Sequence, residues 1–294
     1  MKRLIVNADD FGLTAGVNRA IIEGHVQGII TSTSLLANGT AFDSAVAMAS
    51  DHSKLGVGVH LNLTEGRPVS VPADVPSLLN AHGLFVSGPL RQAKRVLIGR
   101  VNLREVEREL RSQIEKVRAA GVQITHLDGH QHLHMLPPVL DLVIKLAREV
   151  AIGGVRCAAE HRVELLQLMD RNRSSSLTVL KQFLTGRALS MLSSSMKQKL
   201  CHAGLRFPDH FYGFTQTGFL DATAVMKILQ HLRNGISELM CHPGYLDADL
   251  AGKPTRLLGQ REGELRALTE PAVKGLITEQ AIELIHYGTM SEAS

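Results

Sequence analysis

The first 63 residues alternate short apolar runs with helix-length amphipathic stretches, and this alternation narrows the fold more than any other feature of the chain. Arg3–Asn7 reads as a buried strand that runs into Ala8-Asp9-Asp10-Phe11-Gly12. Thr14 is placed to cap a helix with Val17, Ala20, Ile21 and His25 on one face and Gly28 beyond its end. Ile29–Ala37 is a second strand, Thr40 a cap for a helix through Met48, and Leu55–Leu63 a third strand. A βαβαβ order of this kind makes a parallel sheet. The alternation continues with a helix over Val101–Ala120, a strand over Gly121–Thr125, and a helix opened by Pro137-Pro138, where a missing N–H is no loss. Val150–Cys157 is a fifth strand. Later come a helix from Asp221 to Arg233, a strand Ile236–Cys241, helices near Arg261–Leu268 and Pro271–Gln280, and a last strand Ile282–Tyr287.

Two stretches interrupt the pattern. Residues 66–99, with Pro68, Pro72 and Pro76, read as a long loop with little regular structure. Residues 158–208 read as a helical excursion flanked by Ser174-Ser175-Ser176 and Ser193-Ser194-Ser195. The expected architecture is an α/β fold, an irregular TIM-barrel-like (β/α) barrel of eight strands or fewer, as one domain over residues 1–294.

Composition removes several functions. The net charge of +4 is mild, aromatics are 4%, and there is no Trp, so neither a basic patch interleaved with aromatics nor a base-stacking platform is present and no nucleic-acid partner is expected. No apolar run reaches the roughly 18 residues of a membrane span. Met1–Val6 is too short for the core of a signal peptide. Cys157, Cys201 and Cys241 are odd in number and widely spaced, which suits reduced thiols. A cytoplasmic location is the expectation.

Polar residues stand where the strands end. The first strand ends in Asp9-Asp10, the third carries His60, and the fourth leads into a cluster with four His between 126 and 134 that includes His130. His242 follows Met240-Cys241 at another strand end. A parallel barrel gathers these ends on one rim. A carboxylate with two imidazoles is a ligand set for a catalytic divalent ion. Neighbours on a strand point opposite ways, so one aspartate can hold the ion while the other faces water. Plainer roles compete: an Asp as helix cap, His60 as a core histidine, His126 and His134 as supporting or surface residues, and His242 stacked on Pro243.

Several segments resemble one family. Asn7-Ala8-Asp9-Asp10-Phe11-Gly12, Thr31-Ser32-Thr33-Ser34, Gly58-Val59-His60-Leu61-Asn62-Leu63-Thr64, Thr125 to His134 and Cys241-His242-Pro243 resemble the YdjC-like carbohydrate deacetylases. The resemblance implies an irregular barrel, often a homodimer, that removes acetyl groups from N-acetylated sugars. It implies Asp10, His60 and His130 as metal ligands, with magnesium or zinc as the ion, Asp9 as general base and His242 as the acid for the leaving amine. Gly204 to Gly213 is similar to the subgroup acting in hopanoid synthesis, whereas the Thr-His-Leu-Asp-Gly-His wording is closer to the chito-oligosaccharide subgroup. The substrate expected is therefore a chito-oligosaccharide or an N-acetylglucosaminyl lipid. For a lipid, Leu189 and Leu192 would receive the apolar part, with Lys181, Arg187, Lys197 and Lys199 toward an anionic surface, as a peripheral contact at most. The competing functions are a metal-dependent phosphoesterase or isomerase on the same barrel, and a His-rich metal-binding protein without catalysis. No Gly-x-Ser-x-Gly occurs, which disfavours serine hydrolysis.

Overall fold

The computed structural model describes residues 1–160 and 193–290. Its centre is a curled parallel sheet. The strands are β1 (Lys2–Phe11), β2 (Ser32–Leu35), β3 (Gly56–Leu61), β4 (Ile124–Gly129), β5 (Gly154–Val155), β6 (His210–Tyr212), β7 (Gly235–Cys241) and β8 (Ile282–Leu284). They run β5-β4-β3-β2-β1-β7-β6, and β8 pairs with the first residues of β1. Every pairing between these strands is parallel. One short stretch reaches both ends of the sheet: Arg206 bridges Gly154 of β5, and His210–Tyr212 pair with Ser237–Leu239 of β7. The fold is the irregular TIM-barrel-like α/β barrel that the alternation implies, with a short-stranded, incomplete wall.

The helices explain themselves locally. Thr14 caps Ala15–Val26 by accepting from the Val17 N–H at 3.3 Å, and Asp221 caps Ala222–Gln230 through the Ala224 N–H at 2.9 Å. Leu103–Ala119 buries Val106, Leu110, Ile114 and Val117 at helical spacing, each contributing about 1.5–3 kcal/mol relative to exposure. On that buried face Glu109 accepts from the Val69 and Ser70 N–H groups, and Gln113 bonds both the N–H and C=O of Asn62. This helix therefore fixes the loop after β3, which carries Glu65.

Several expectations are corrected. Thr40 is not a cap: its Oγ1 donates to the Leu13 carbonyl, and the helix Phe42–Ser50 begins from Ala41 without a side-chain cap. Residues 66–99 are not a bare loop, because two 3-10 turns and the helix Pro89–Leu97 lie there. Pro89 sits at the first helical position, where its missing N–H is no loss. β4 runs on through Gly129, so His126 and Asp128 belong to the strand itself. β6 has no counterpart in the sequence pattern. Within the excursion, residues 193–202 are helical. Residues 161–192, with Lys181, Arg187, Leu189 and Leu192, lie outside the described residues. Lys199 pairs with Asp141 at 2.5 Å and Lys197 donates to the Asp209 carbonyl, so both are engaged within the protein.

Candidate functional site

The site starts with a distortion in β1. The β1–β2 register shifts between Ala8 and Phe11, and Asp10 takes a φ of 71°. A bulge of this kind turns a residue that should face away. Asp9 and Asp10 consequently both reach the same place: their carboxylates lie 3.9 and 3.7 Å from His60 Nε2. Strict alternation along the strand fails here, and an αL aspartate is what replaces it.

The structure brings Asp10, His60 and His130 together. Asp10 Oδ1 lies 3.2 Å from His130 Nδ1, and that nitrogen lies 3.3 Å from His60 Nε2. Ligands of one cation at bond lengths near 2.1 Å sit about 3.0–3.4 Å apart. Two sides of this triangle lie in that range and the third, Asp10 Oδ1 to His60 Nε2, is 3.7 Å, so a small inward shift of one side chain would let all three hold a single divalent ion. Each donor is also prepared. His60 Nδ1 meets Asp128 Oδ1 at 2.8 Å; a carboxylate only accepts, so that nitrogen carries the proton and Nε2 presents its lone pair. His130 turns Nε2 toward Glu65 Oε1 at 3.4 Å, with Gln131 Nε2 donating to the same oxygen. Asp10 Oδ1 is buried without a hydrogen-bond partner among the described residues, while Oδ2 accepts from Arg261 at 2.6 Å. Burial alone would raise Asp10, but Arg261 and His130 hold it well below the usual carboxylate range. Burial would lower His130, yet the adjacent carboxylates of Asp10 and Glu65 raise it to about 10. The pocket favours a positive charge at its centre.

A second acidic group, Asp9 with His60 and Asp128, is also compact. Its place for a cation is already filled. The Arg156 guanidinium reaches Asp9 at 2.6 and 2.8 Å, Asp128 at 2.6 Å and Glu238 at 2.8 Å, all fully buried or nearly so. Asn7 Nδ2 donates to Asp9 Oδ1 at 2.9 Å. Both oxygens of Asp9 are thus clamped by an arginine, whereas Asp10, held by Arg261 through Oδ2, leaves Oδ1 open. His242 completes the rim with Nε2 at 3.9 Å from Asp9 Oδ2, and Nδ1 has no partner among the described residues. Its backbone N–H donates to Glu264 at 2.6 Å. Burial lowers its pKa.

Residues 3–279 match the family model described as YdjC-like protein. The chain belongs to the YdjC-like family. It is 36% identical over 290 residues to a carbohydrate deacetylase of Brevibacillus brevis, covering 98% of this chain and 99% of that one. It is 32% identical to a chitooligosaccharide deacetylase of Klebsiella pneumoniae, covering 97% of each. Among solved structures, a candidate cellobiose-phosphate cleavage protein of Enterococcus faecalis superposes with a TM-score of 0.76 at 27% identity, over 98% of each chain.

In this YdjC-like barrel the remaining cluster histidines are not surface residues. His126 is fully buried, stacked 3.9 Å from the Tyr287 ring and bonded to Thr125 Oγ1 at 3.0 Å. It lies over Gly58, where a Cβ would come within 2.3 Å of the ring, so only glycine fits. His134 Nε2 bonds the Arg156 carbonyl at 3.1 Å, and His132 packs near Phe211 and Phe214. Gln131 and His132 both take positive φ, and this turn directly follows His130. The residues that sequence reading did not assign are Arg156, Arg261, Glu65, Asp128 and Glu238. The signal for two of them was a charge inside an apolar strand, Val155-Arg156-Cys157 and Ser237-Glu238-Leu239.

Burial pushes His126 down to about 3 and His134 to about 4. The fold accommodates their neutral forms, so their contribution is present above the ordinary value of 6.5 and is lost as pH falls toward 4 and then 3. Urea midpoints are expected to drop steeply across that window, and less steeply in His126→Gln. Identical pH profiles for the two proteins would refute this assignment.

Proposed function

We propose that this chain is a carbohydrate deacetylase that hydrolyses the acetamide of an N-acetylated amino sugar. In this reading Asp10, His60 and His130 hold one divalent cation, Asp9 is the general base and His242 the general acid. The observation that carries it is the division of labour between two adjacent aspartates, one held by Arg156 and one with an unpartnered oxygen facing two imidazoles.

Magnesium or zinc at that triangle would supply Lewis acidity toward the acetamide carbonyl and make nearby water more acidic. The chain's own groups supply the rest. Arg156 and Asn7 fix the Asp9 carboxylate so that Oδ2 keeps a lone pair toward the centre of the rim. Asp9 takes a proton from water as the water oxygen bonds to the acetyl carbon. His242 Nε2, on the same side as Asp9 Oδ2, gives a proton to the nitrogen as the C–N bond breaks. Acetate and a free amine leave. Burial makes the His242 imidazolium a readier acid, which suits a weakly basic amide nitrogen. Glu264 bonds the backbone N–H groups of His242 and Gly218, and so holds the His242 loop in place.

A soluble N-acetylated chito-oligosaccharide is the substrate we favour, because the relative of Klebsiella pneumoniae, 32% identical over 97% of each chain, is a chitooligosaccharide deacetylase. The test is acetate release from that oligosaccharide. Asp9→Asn keeps size and hydrogen bonding but not the proton acceptor, so turnover should fall by about 10² or more with the metal content kept. Loss of the metal in this variant would exchange the roles of Asp9 and Asp10. Wild-type protein that releases no acetate with magnesium or zinc present would end the deacetylase reading.

A further inference from the structure

The helix Pro89–Leu97 and the turn after it bear a surface that the reaction does not use. From Pro89 to Arg104 the chain carries Arg91, Lys94, Arg95, Arg100 and Arg104 and no carboxylate, in a protein whose net charge is only +4. Arg91, Lys94, Arg100 and Arg104 are exposed, and no ion pair to any of them occurs among the described residues. Leu90 is 76% exposed, Leu97 60% and Ile98 52%. At 100° per residue, Leu90, Arg91, Lys94, Leu97 and Ile98 fall on one face, while Gln92 and Val96 are buried on the other. Leucine and isoleucine are thus presented to solvent between cations, on a helix that packs against the His130–Met135 turn of the site rim.

We propose that this face docks on an anionic lipid surface, with Leu90, Leu97 and Ile98 entering the interface and the basic side chains meeting lipid headgroups. The apolar residues decide between partners. A polyanion without apolar character would use the cations and leave three large aliphatic side chains in water. A bilayer interface takes both. The basic cluster is also self-opposed: burial, with the neighbouring charges of Arg91 and Arg100, lowers the pKa of Arg95, a repulsion that anionic headgroups relieve. Because the helix adjoins the rim, docking there would bring the site next to the surface.

The measurement is co-sedimentation of the full chain with phosphatidylcholine vesicles, with and without phosphatidylglycerol, at low and high salt. Wild type should sediment with the anionic vesicles only, and salt should weaken it. Arg91→Gln with Lys94→Gln should lower the affinity roughly thirtyfold, from about fivefold per cation. Leu90→Ser with Leu97→Ser should also release the protein. All four side chains are exposed, so folding is expected to be unchanged, which thermal unfolding checks. Binding that ignores the lipid charge, no binding at all, or a leucine variant that binds like wild type overturns the proposal. Acetate release from a soluble oligosaccharide is read separately in each protein, so failure of docking and failure of the deacetylase reading are distinguishable.

Discussion

His130→Ala is expected to lose divalent metal, with the affinity down by more than about a hundredfold and turnover falling with it. Removing a residue that only orients a ligand costs 10–100-fold, and His130 is assigned here as a ligand. Its imidazole supplies one corner of the triangle with Asp10 Oδ1 and His60 Nε2, at 3.2 and 3.3 Å. The remaining pair offers one carboxylate oxygen and one nitrogen. His134→Ala is the control, because its ring bonds the Arg156 carbonyl and not the triangle. Its metal content should stay near that of wild type, although loss of a buried ring will lower stability. Isothermal titration with magnesium and zinc reads the affinity directly, independent of turnover. Equal metal affinity in wild type and His130→Ala would remove the triangle as the binding site.

The alternation of elements made the barrel legible, and the polar residues at strand ends made its rim legible. Asp10, His60, His130 and His242 all stand at the rim where a parallel sheet puts its C-terminal ends. What was not legible depends on contacts distant in sequence. Arg156 finds Asp9 across 147 positions and Glu238 across 82, and nothing in a local window announces such a pairing. The bulge at Asp9-Asp10 was hidden for a different reason. Period-two alternation assumes regular strand backbone, and one αL residue suspends the rule. β4 was cut short because His126 and Asp128 look like loop residues. They are tolerated in a strand since each has a buried partner: Thr125 and Ser34 for His126, His60 and Arg156 for Asp128. The helix Pro89–Leu97 is concealed by Pro68, Pro72 and Pro76 before it, although a further proline, Pro89, starts it.

The hydrogen bonds around Arg156 also set the size of the second large effect. Arg156→Met should destabilise the protein by about 3–5 kcal/mol, the cost of leaving buried charges without their partner. Methionine fills much of the same volume, so the loss would reflect charge and not a cavity. Three carboxylates meet at this guanidinium. Burial would raise Asp128, but Arg156 and His60 keep it well below the usual range. Glu238 differs: burial raises it to about 7 in spite of Arg156, and Tyr287 donates to it at 2.5 Å. Near neutral pH a proton can therefore be taken up at Glu238, whereas Asp128 is held ionised by the arginine and His60. Glu238→Gln retains a neutral acceptor for Tyr287 and should cost much less than Arg156→Met. Urea unfolding near pH 7 of the two variants separates the effects. If Arg156→Met is as stable as wild type, the guanidinium is not what holds these buried carboxylates, and the assignment of Arg156 as the clamp on Asp9 falls.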